Sequence, residues 1–442
     1  MTWKLCTQEN KVPFSWIVLM GLPAVMSGFV DRCSDTAMTF TISKFTNDPV
    51  KIALLGSLNI LFGITIAPMV AYYSDHYSGR WGQRKPFIVC GLTVAAISLI
   101  FVPLASSLLV LSILIVIFYA AMDFGYTGIW DPLYADVVPD CQRGRGMVVN
   151  RYMAMAARML FMFFLIGKFS DHIGKGKIVK SLTGRSFANL TGEHLIYLIA
   201  VLSIILTVLF VVFGIRESTT TSLKPQMKFK FGQYLRAVFE SKEHRRLFFL
   251  IAASSLMTVK LRSLMPLLFT EQFQYSKQTM GQVHGITMSI NAFLVLPLAA
   301  VLSDRINRYK LFSVCLAGST LQPILFWSYV HWINPIPAPA TAFGFHVFDA
   351  GCDHLALIAL WPLLYESSMF SERGALKAGF LIVGGVVSFL LSNMLAVWIK
   401  WFTQLNPDPA CYDYMSGYLL IFLSGIIACV LTYCGKPEKV NV

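Results

Sequence analysis

Long apolar runs separated by short polar segments fill the chain from about residue 13 to its end. An α-helix needs about 20 apolar residues to cross the hydrocarbon core of a bilayer, where every backbone polar group must be hydrogen-bonded internally. The pattern predicts twelve membrane-spanning helices, near residues 14–40, 50–72, 87–106, 109–138, 146–167, 194–214, 247–270, 279–302, 309–330, 338–366, 376–398 and 414–435. The first run is long enough to span, so we interpret it as helix 1 and not as a cleaved signal peptide.

The composition agrees with a chain whose solvent is lipid. Hydrophobic residues make up 56% of the 442 residues and charged residues 13%, and the mean hydropathy is +0.63. The formal charge of +13 is spread over short segments and forms no single basic face, which argues against a nucleic-acid partner. The nine cysteines show neither a disulfide framework nor metal-ligand spacing. We therefore predict an all-α integral membrane protein without a metal site or a bound cofactor.

An internal repeat relates the first six predicted helices to the last six. The Ser-Asp pair at 74–75 recurs at 303–304, an offset of 229 residues. A proline, an acid and an arginine around the end of helix 4 recur at an offset of 230 around helix 10: Pro132, Asp136 and Arg143 correspond to Pro362, Glu366 and Arg373. Two matched, pseudo-symmetric six-helix bundles are typical of transporters that rock around a site at the bilayer midplane.

The most polar stretch, residues 216–246, is rich in Lys and Arg and lies between the two groups of helices. It predicts an N-terminal bundle over 1–215, a cytoplasmic linker over 216–246 and a C-terminal bundle over 247–442. Basic residues are in excess on the side of the two termini, so the positive-inside rule predicts that both termini are cytoplasmic. The basic loop between helices 5 and 6 opposes this orientation without reversing it, and Asn189 in that loop opens a formal glycosylation sequon. We expect a monomer in a plasma or inner membrane.

The segment after helix 2, PMVAYYSDHYSGRWGQRKPFIVCG, places an acid beside several basic residues. An acid that accepts hydrogen bonds from arginines and from a neighbouring helix N-terminus forms a latch at the cytoplasmic mouth. The same basic residues also serve as positive-inside signals, and the sequence leaves both interpretations open. The cytoplasmic gate predicted from this segment and its repeat comprises Asp75, Arg80, Arg84, Asp136, Arg143, Asp304, Arg305, Glu366 and Arg373.

This segment resembles the helix 2–3 signature of the major facilitator superfamily. It is most similar to the version in glycoside-pentoside-hexuronide cation symporters, especially sucrose/proton symporters. The chain departs from that pattern at Ala71, His76 and Gln83, which thins the basic cluster but keeps Asp75 and Arg84. The resemblance implies the twelve-helix major facilitator fold and alternating access, and it favours a sugar as the small-molecule substrate.

Ionisable residues inside the predicted spans are candidate functional residues, because a charge in the bilayer costs several kcal/mol unless it is paired or faces water. Asp123 lies near the middle of helix 4 and precedes Pro132 by nine residues. The resemblance to plant-type sucrose symporters assigns proton coupling to an Asp at this spacing. Arg158 on helix 5 is a candidate partner, and a static Asp123–Arg158 pair between the two helices is the alternative interpretation.

Asp353 on helix 10 is the repeat equivalent of Asp123 and lies near His346, Asp349 and His354. We predict that Asp353 takes part in proton coupling with Asp123 and Arg158. The cluster would relay protons or bind hydroxyls, although Asp349 alone is also compatible with a solvated position near the outer mouth.

Helices 1 and 7 carry charges of opposite sign at matched positions, since Lys260 follows Asp31 by 229 residues. The resemblance implies that these helices line the central cavity. The residues predicted to bind substrate are Asp31, Asp35, Lys260, Arg262, Tyr134, His354 and Trp361. Charge neutralisation between helices, and an interfacial belt for the aromatic residues, are the alternatives.

The leading hypothesis is proton-coupled symport of a sugar or glycoside, with H⁺ as the co-transported ion. Transport of an organic anion through Lys260 and Arg262 is the main alternative, and sodium-coupled sugar symport with Asp31 and Asp35 as ligands is a lesser one. An enzyme is disfavoured, because the chain has no nucleophile motif, phosphate loop or second acidic pair with metal spacing. A counterflow measurement would distinguish a transporter from a sensor that binds a solute without transporting it.

Overall fold

The computed structural model describes the backbone of residues 12–77, 79, 81–171, 191–215, 242–258, 260–366, 373–405 and 411–435. Its description of side chains within these ranges excludes residues 75–76, 131–132, 135–136, 140–141, 143–145, 242–244, 258, 300, 303–304, 361–366 and 373–381. The described backbone is helical with short connections, and no β-strand occurs in these ranges.

The helices follow the predicted order along the chain. They are α1 (Phe14–Ser43), α2 (Pro49–His76), α3 (Lys85–Phe101), α4 (Leu108–Thr127), α5 (Asp140–Leu160), α6 (Gly192–Gly214), α7 (Lys242–Thr258), α8 (Lys277–Ala299), α9 (Arg308–Trp332), α10 (Pro339–Glu366), α11 (Arg373–Gln404) and α12 (Gly417–Cys434). Among the described residues, eleven helices are long and apolar enough to cross a membrane, and α7 is the exception. Large apolar side chains such as Leu109, Phe213 and Val314 are more than two-thirds exposed, with Phe213 at 81%. Such a surface is suited to lipid and not to water.

Several helices contain a π-turn, an extra residue in the hydrogen-bonding ladder that is frequent at functional sites. In α1 the π-turn covers Cys33–Ala37, and in α4 it covers Asp123–Thr127. Both therefore contain an acid that the sequence marked as a candidate. After the π-turn of α4 a short helix runs from Trp130 to Val137, so the single span predicted over 109–138 is interrupted.

The chain forms two compact units. The first comprises Met1–Phe45 and Thr65–Lys228, and the second comprises Thr46–Ile64 and Phe229–Val442. The first part of α2 thus packs with the C-terminal helices. The predicted linker, 216–246, lies mostly outside the described residues.

Small residues allow close helix packing in the first unit. A Cβ atom on Gly91 of α3 would lie 2.5 Å from the Cα atom of Gly125 in α4. A Cβ atom on Gly28 of α1 would lie 2.4 Å from the carbonyl oxygen of Ala154 in α5. Close backbone approach at small residues is the usual way in which membrane helices gain packing energy.

The second unit has a core formed by α7, α9, α10 and α12. Leu247, Phe312, Leu316, Ala356 and Ala428 are buried together there. This core fixes α10 against α7 and α9, and the cluster described next is formed by α9, α10 and the segment that follows α7.

Candidate functional site

The helical path of the seventh span is interrupted at the position of Lys260. Helix α7 ends at Thr258, the described chain continues without helix at residues 260–264, and a short helix resumes at Met265–Leu267. An interrupted membrane helix is tolerated where its freed polar groups line a cavity or meet protein partners. The sequence predicted a continuous helix over 247–270, and this prediction is wrong at the break.

Lys260 lies between two carboxylates of α10. Its Nζ atom is 2.6 Å from Oδ2 of Asp353 and also forms an ion pair with Asp349. Asp349 and Asp353 are four residues apart and therefore share one face of α10. The Lys260 side chain is 18% exposed and that of Asp349 is 9% exposed, so the three charges are largely withdrawn from solvent.

Ser319 of α9 completes this group, which we call the Lys260 cluster: Lys260, Ser319, Asp349 and Asp353. The Ser319 hydroxyl is 3.2 Å from Oδ1 of Asp349 and 3.1 Å from Oδ1 of Asp353. One hydroxyl has one proton, so it donates to one carboxylate at a time. With both carboxylates ionised the cluster carries a net charge of −1, and one added proton makes it neutral.

Sequence reasoning found Lys260 and Asp353 but not their contact. It also left Asp349 open between the cluster and a solvated outer position, and the structure places Asp349 in a buried ion pair. Ser319 was missed entirely, because a serine in an apolar helix has no signal of its own. The four-residue spacing of Asp349 and Asp353 was the signal that could have found the shared cation.

In the first unit the charges of α1 are paired differently. Arg158 donates a hydrogen bond from Nη2 to Oδ2 of Asp31 over 2.5 Å, and Arg32 lies 3.6 Å from Asp35 within α1. The predicted pairing of Arg158 with Asp123 is wrong, because the arginine side chain reaches α1 instead.

Asp123 lies at the start of the π-turn of α4 and is only 5% exposed. The Thr127 side chain hydrogen-bonds to its carboxylate. Within the described part of the chain no cation pairs with Asp123. A buried carboxylate of this kind is stabilised by protonation, since an isolated charge at such a site is costly.

A narrow, partly open cleft lies beside the break that follows α7. It is lined by Ala53, Gly56, Ser57, Ile60, Lys260, Leu261, Arg262, Ser263, Leu264, Ser392 and Leu395. At its edge the Asn393 amide donates a hydrogen bond to Ser57 over 3.1 Å. Arg262 is exposed and Lys260 is paired with two carboxylates, so the cleft presents serine hydroxyls and two cationic side chains.

Comparison with known proteins decides the family. The sequence profile of the Major Facilitator Superfamily matches residues 20–348. The chain belongs to the major facilitator superfamily. It is an integral, multi-pass membrane transporter with a small-molecule substrate.

Solved structures share the fold of this major facilitator protein at low sequence identity. A bacterial homologue of the human lysosomal transporter Spinster, inward-facing and occupied, is 15% identical over 97% of each chain, with a TM-score of 0.72. A D-xylose-proton symporter is 14% identical over 96% of this chain and 98% of its own, with a TM-score of 0.68. The nucleoside transporter NupG is 12% identical over 95% of this chain and 100% of its own, with a TM-score of 0.67. No curated protein sequence matches the chain.

Two of the remaining predicted substrate residues of this major facilitator protein have local contacts. Tyr134 is buried. Its hydroxyl is so close to Gly146 that a Cβ atom at that position would clash with it, so Tyr134 packs against α5. Nδ1 of His354 lies 2.6 Å from the carbonyl oxygen of Ala350 in the same helix. The side chain of Trp361 lies outside the described residues.

The predicted cytoplasmic gate is described at two positions. Arg84 is buried at the N-terminus of α3, and Arg305 is exposed. The other predicted gate residues lie outside the described side chains: Asp75, Arg80, Asp136, Arg143, Asp304, Glu366 and Arg373. The latch therefore stays a prediction.

Proposed function

We propose that this transporter is a symporter that couples the movement of a sugar or glycoside to protons by alternating access. The Lys260 cluster carries this proposal. Its two carboxylates share one ammonium, so the cluster changes from a net charge of −1 to neutral when it takes up one proton. A net charge is costly in a low-dielectric site. Proton uptake therefore lowers the energy of a conformation in which the cluster is shielded from water, relative to one in which it is hydrated.

Asp123 is the second proposed proton site. It is the repeat equivalent of Asp353 and is buried with Thr127 as a hydrogen-bond partner. A carboxylate that is protonated when dry and ionised when wet can load a proton on one side of the membrane and release it on the other. Arg158 pairs with Asp31, and we assign it to the support of α1 and not to direct contact with Asp123.

The alternatives have weaker support. The organic-anion alternative relies on Lys260 and Arg262, but Lys260 is already shared by two carboxylates. A sodium site at Asp31 and Asp35 is disfavoured because Arg158 and Arg32 already pair with them. The fold neighbours include a D-xylose-proton symporter, which is compatible with the sugar proposal. We retain the orientation with cytoplasmic termini in a plasma or inner membrane as part of the proposal.

Transport by purified protein in proteoliposomes tests this function. We expect a labelled neutral sugar to accumulate against its gradient when an inward proton gradient is imposed, and a labelled carboxylate of similar size not to accumulate. A protonophore should abolish sugar accumulation. Sugar uptake that is insensitive to the protonophore would refute the coupling, and uptake of the carboxylate alone would refute the substrate class.

A further inference from the structure

Two histidines from different helices face each other in the second unit. Nε2 of His346 on α10 lies 3.3 Å from Nδ1 of His284 on α8, and the ring centroids are 4.8 Å apart. His284 lies seven residues after Lys277, the first residue of α8, and His346 lies seven residues after Pro339, the first residue of α10. Seven residues correspond to about 10 Å along a helix axis, so both imidazoles lie at a similar depth from the same side of the membrane.

The distance between the two nitrogens is suited to a shared metal ion. At 3.3 Å the two nitrogens are within hydrogen-bonding distance, with the donor set by the tautomers, and a bound metal ion would replace the shared proton. In a tetrahedral zinc site with Zn–N bonds of about 2.0–2.1 Å, two ligating nitrogens lie about 3.3–3.4 Å apart. Small rotations of the rings would therefore place one cation between both nitrogens without moving either helix.

One aromatic ring packs against both imidazoles. The Phe269 ring packs edge-on against both imidazoles, with centroid distances of 5.4 Å to His284 and 5.8 Å to His346. Both histidines are partly exposed. No group of three or more His, Cys, Asp or Glu ligands occurs among the residues that the structure describes, so water would fill the other coordination positions.

We propose that His284 and His346 form a two-imidazole binding site for a transition-metal cation such as Zn²⁺, Ni²⁺ or Cu²⁺, which imidazole prefers as a ligand. The cation bridges α8 and α10. The sequence predicted no metal site, because the two histidines are 62 residues apart and belong to no spacing motif.

The site lies next to the Lys260 cluster. Asp349 follows His346 by three residues, and Asp349 and Lys260 are the charged groups that act on His346. A bound dication adds positive charge beside a cluster whose net charge changes in the proposed coupling step. On the basis of that proposed function, we expect Zn²⁺ to slow proton-driven sugar accumulation.

Calorimetric titration of the purified full-length protein with Zn²⁺ tests the site itself. We expect one saturable site that is weakened at least about tenfold in His284→Ala and in His346→Ala, as is usual for the loss of a metal ligand. His331→Ala, a histidine of α9 stacked on Trp327, is the matched control and should bind Zn²⁺ like the wild type. His284→Cys retains a zinc ligand and should restore binding, which separates lost ligation from misfolding. Unchanged binding in both alanine variants, or no saturable binding by the wild type, overturns the proposal.

A second measurement separates the site from the transport mechanism. Zn²⁺ should reduce proton-driven accumulation by the wild type but not by His284→Ala. If Zn²⁺ binds through the two histidines and leaves accumulation unchanged, the metal site stands and its link to proton coupling is refuted.

Discussion

Equivalent positions of the two halves hold their buried acids in different ways. In the first half Asp123 lies in a π-turn with Thr127 as its partner, and Arg158 of the same unit pairs with Asp31. In the second half Asp353, the equivalent of Asp123, shares Lys260 with Asp349 in a regular helix. Among the described residues, the first half can therefore lose the charge of Asp123 without leaving a cation unpaired, whereas in the second half two acids share one cation.

The largest effect is expected from Lys260→Met. Removal of the ammonium leaves two buried carboxylates without a counter-charge, and breaking a buried ion pair costs about 3–5 kcal/mol. We expect a strongly lowered unfolding temperature in detergent and no transport. The measurement is thermal unfolding followed by intrinsic fluorescence.

Two variants control that experiment. Arg262→Met changes a more exposed cation two residues away and should lower stability much less than Lys260→Met. The triple variant Lys260→Met, Asp349→Asn, Asp353→Asn removes all charges of the cluster and should recover much of the lost stability. A triple variant no more stable than Lys260→Met would show that the carboxylates are not what the lysine stabilises.

Asp123→Asn should separate transport from stability. An asparagine oxygen still accepts a hydrogen bond from Thr127, and among the described residues no cation loses its partner. The unfolding temperature should therefore stay close to that of the wild type. Because an amide does not exchange the coupling proton, accumulation driven by a proton gradient should be lost while counterflow of labelled sugar persists. Both are measured in proteoliposomes.

Asp48→Asn, in the connection between α1 and α2, is the matched control for that loss. It also replaces an acid by its amide, but outside the proposed proton sites, and should retain accumulation. Full accumulation by Asp123→Asn would remove Asp123 from the mechanism and leave the Lys260 cluster as the proposed proton site.

A smaller effect is expected from Asp31→Asn, which tests the ion pair of the first half. The Arg158 and Asp31 side chains are 33% and 43% exposed, so water stabilises each partner after the other is removed. We expect a loss of no more than about 1 kcal/mol, in contrast to the much larger loss in Lys260→Met. Thermal unfolding of the two variants at the same salt concentration checks the difference. A loss as large as that of Lys260→Met would mean that the pair is effectively buried.

The helices were predictable because about 20 apolar residues in succession have few alternatives to a membrane span. The pair Arg32–Asp35 was also predictable, since residues three apart share a helix face. The partner of Arg158 was not, because the choice between Asp31 and Asp123 depends on how α5 is rotated against α1 and α4. Asp31 and Asp123 both lie on helices that α5 could face, so the sequence alone does not choose between them.

The contacts of Lys260 with α10 were not predicted either. Lys260 lies where the helix is interrupted, and Pro266, in the first turn of the helix that resumes, was a sequence signal for this break that the predicted span did not use. The facing imidazoles of His284 and His346 depend on helix depth and rotation together. Charged positions were therefore found from the sequence, but their partners required the packed structure.

The smallest effect concerns Asp48, which accepts a hydrogen bond from Lys400 of α11 over 2.8 Å in the second unit. Burial opposes ionisation of Asp48, but the hydrogen bond and charge of Lys400 outweigh it and hold the pKa of Asp48 below its usual range. A lowered folded-state pKa contributes stability above the unfolded value, near about 3.9, and that contribution is lost as the pH falls through the folded pKa. The wild type should therefore exceed Asp48→Asn in unfolding temperature at about pH 6, and the difference should shrink towards about pH 3 and in high salt.

The difference in unfolding temperature between wild type and Lys400→Met should shrink in the same way, because this variant removes the other partner of the same contact. A difference between wild type and Asp48→Asn that does not change with pH would mean that Lys400 does not stabilise the ionised carboxylate, and that the connection between α1 and α2 is held to the second unit by packing alone.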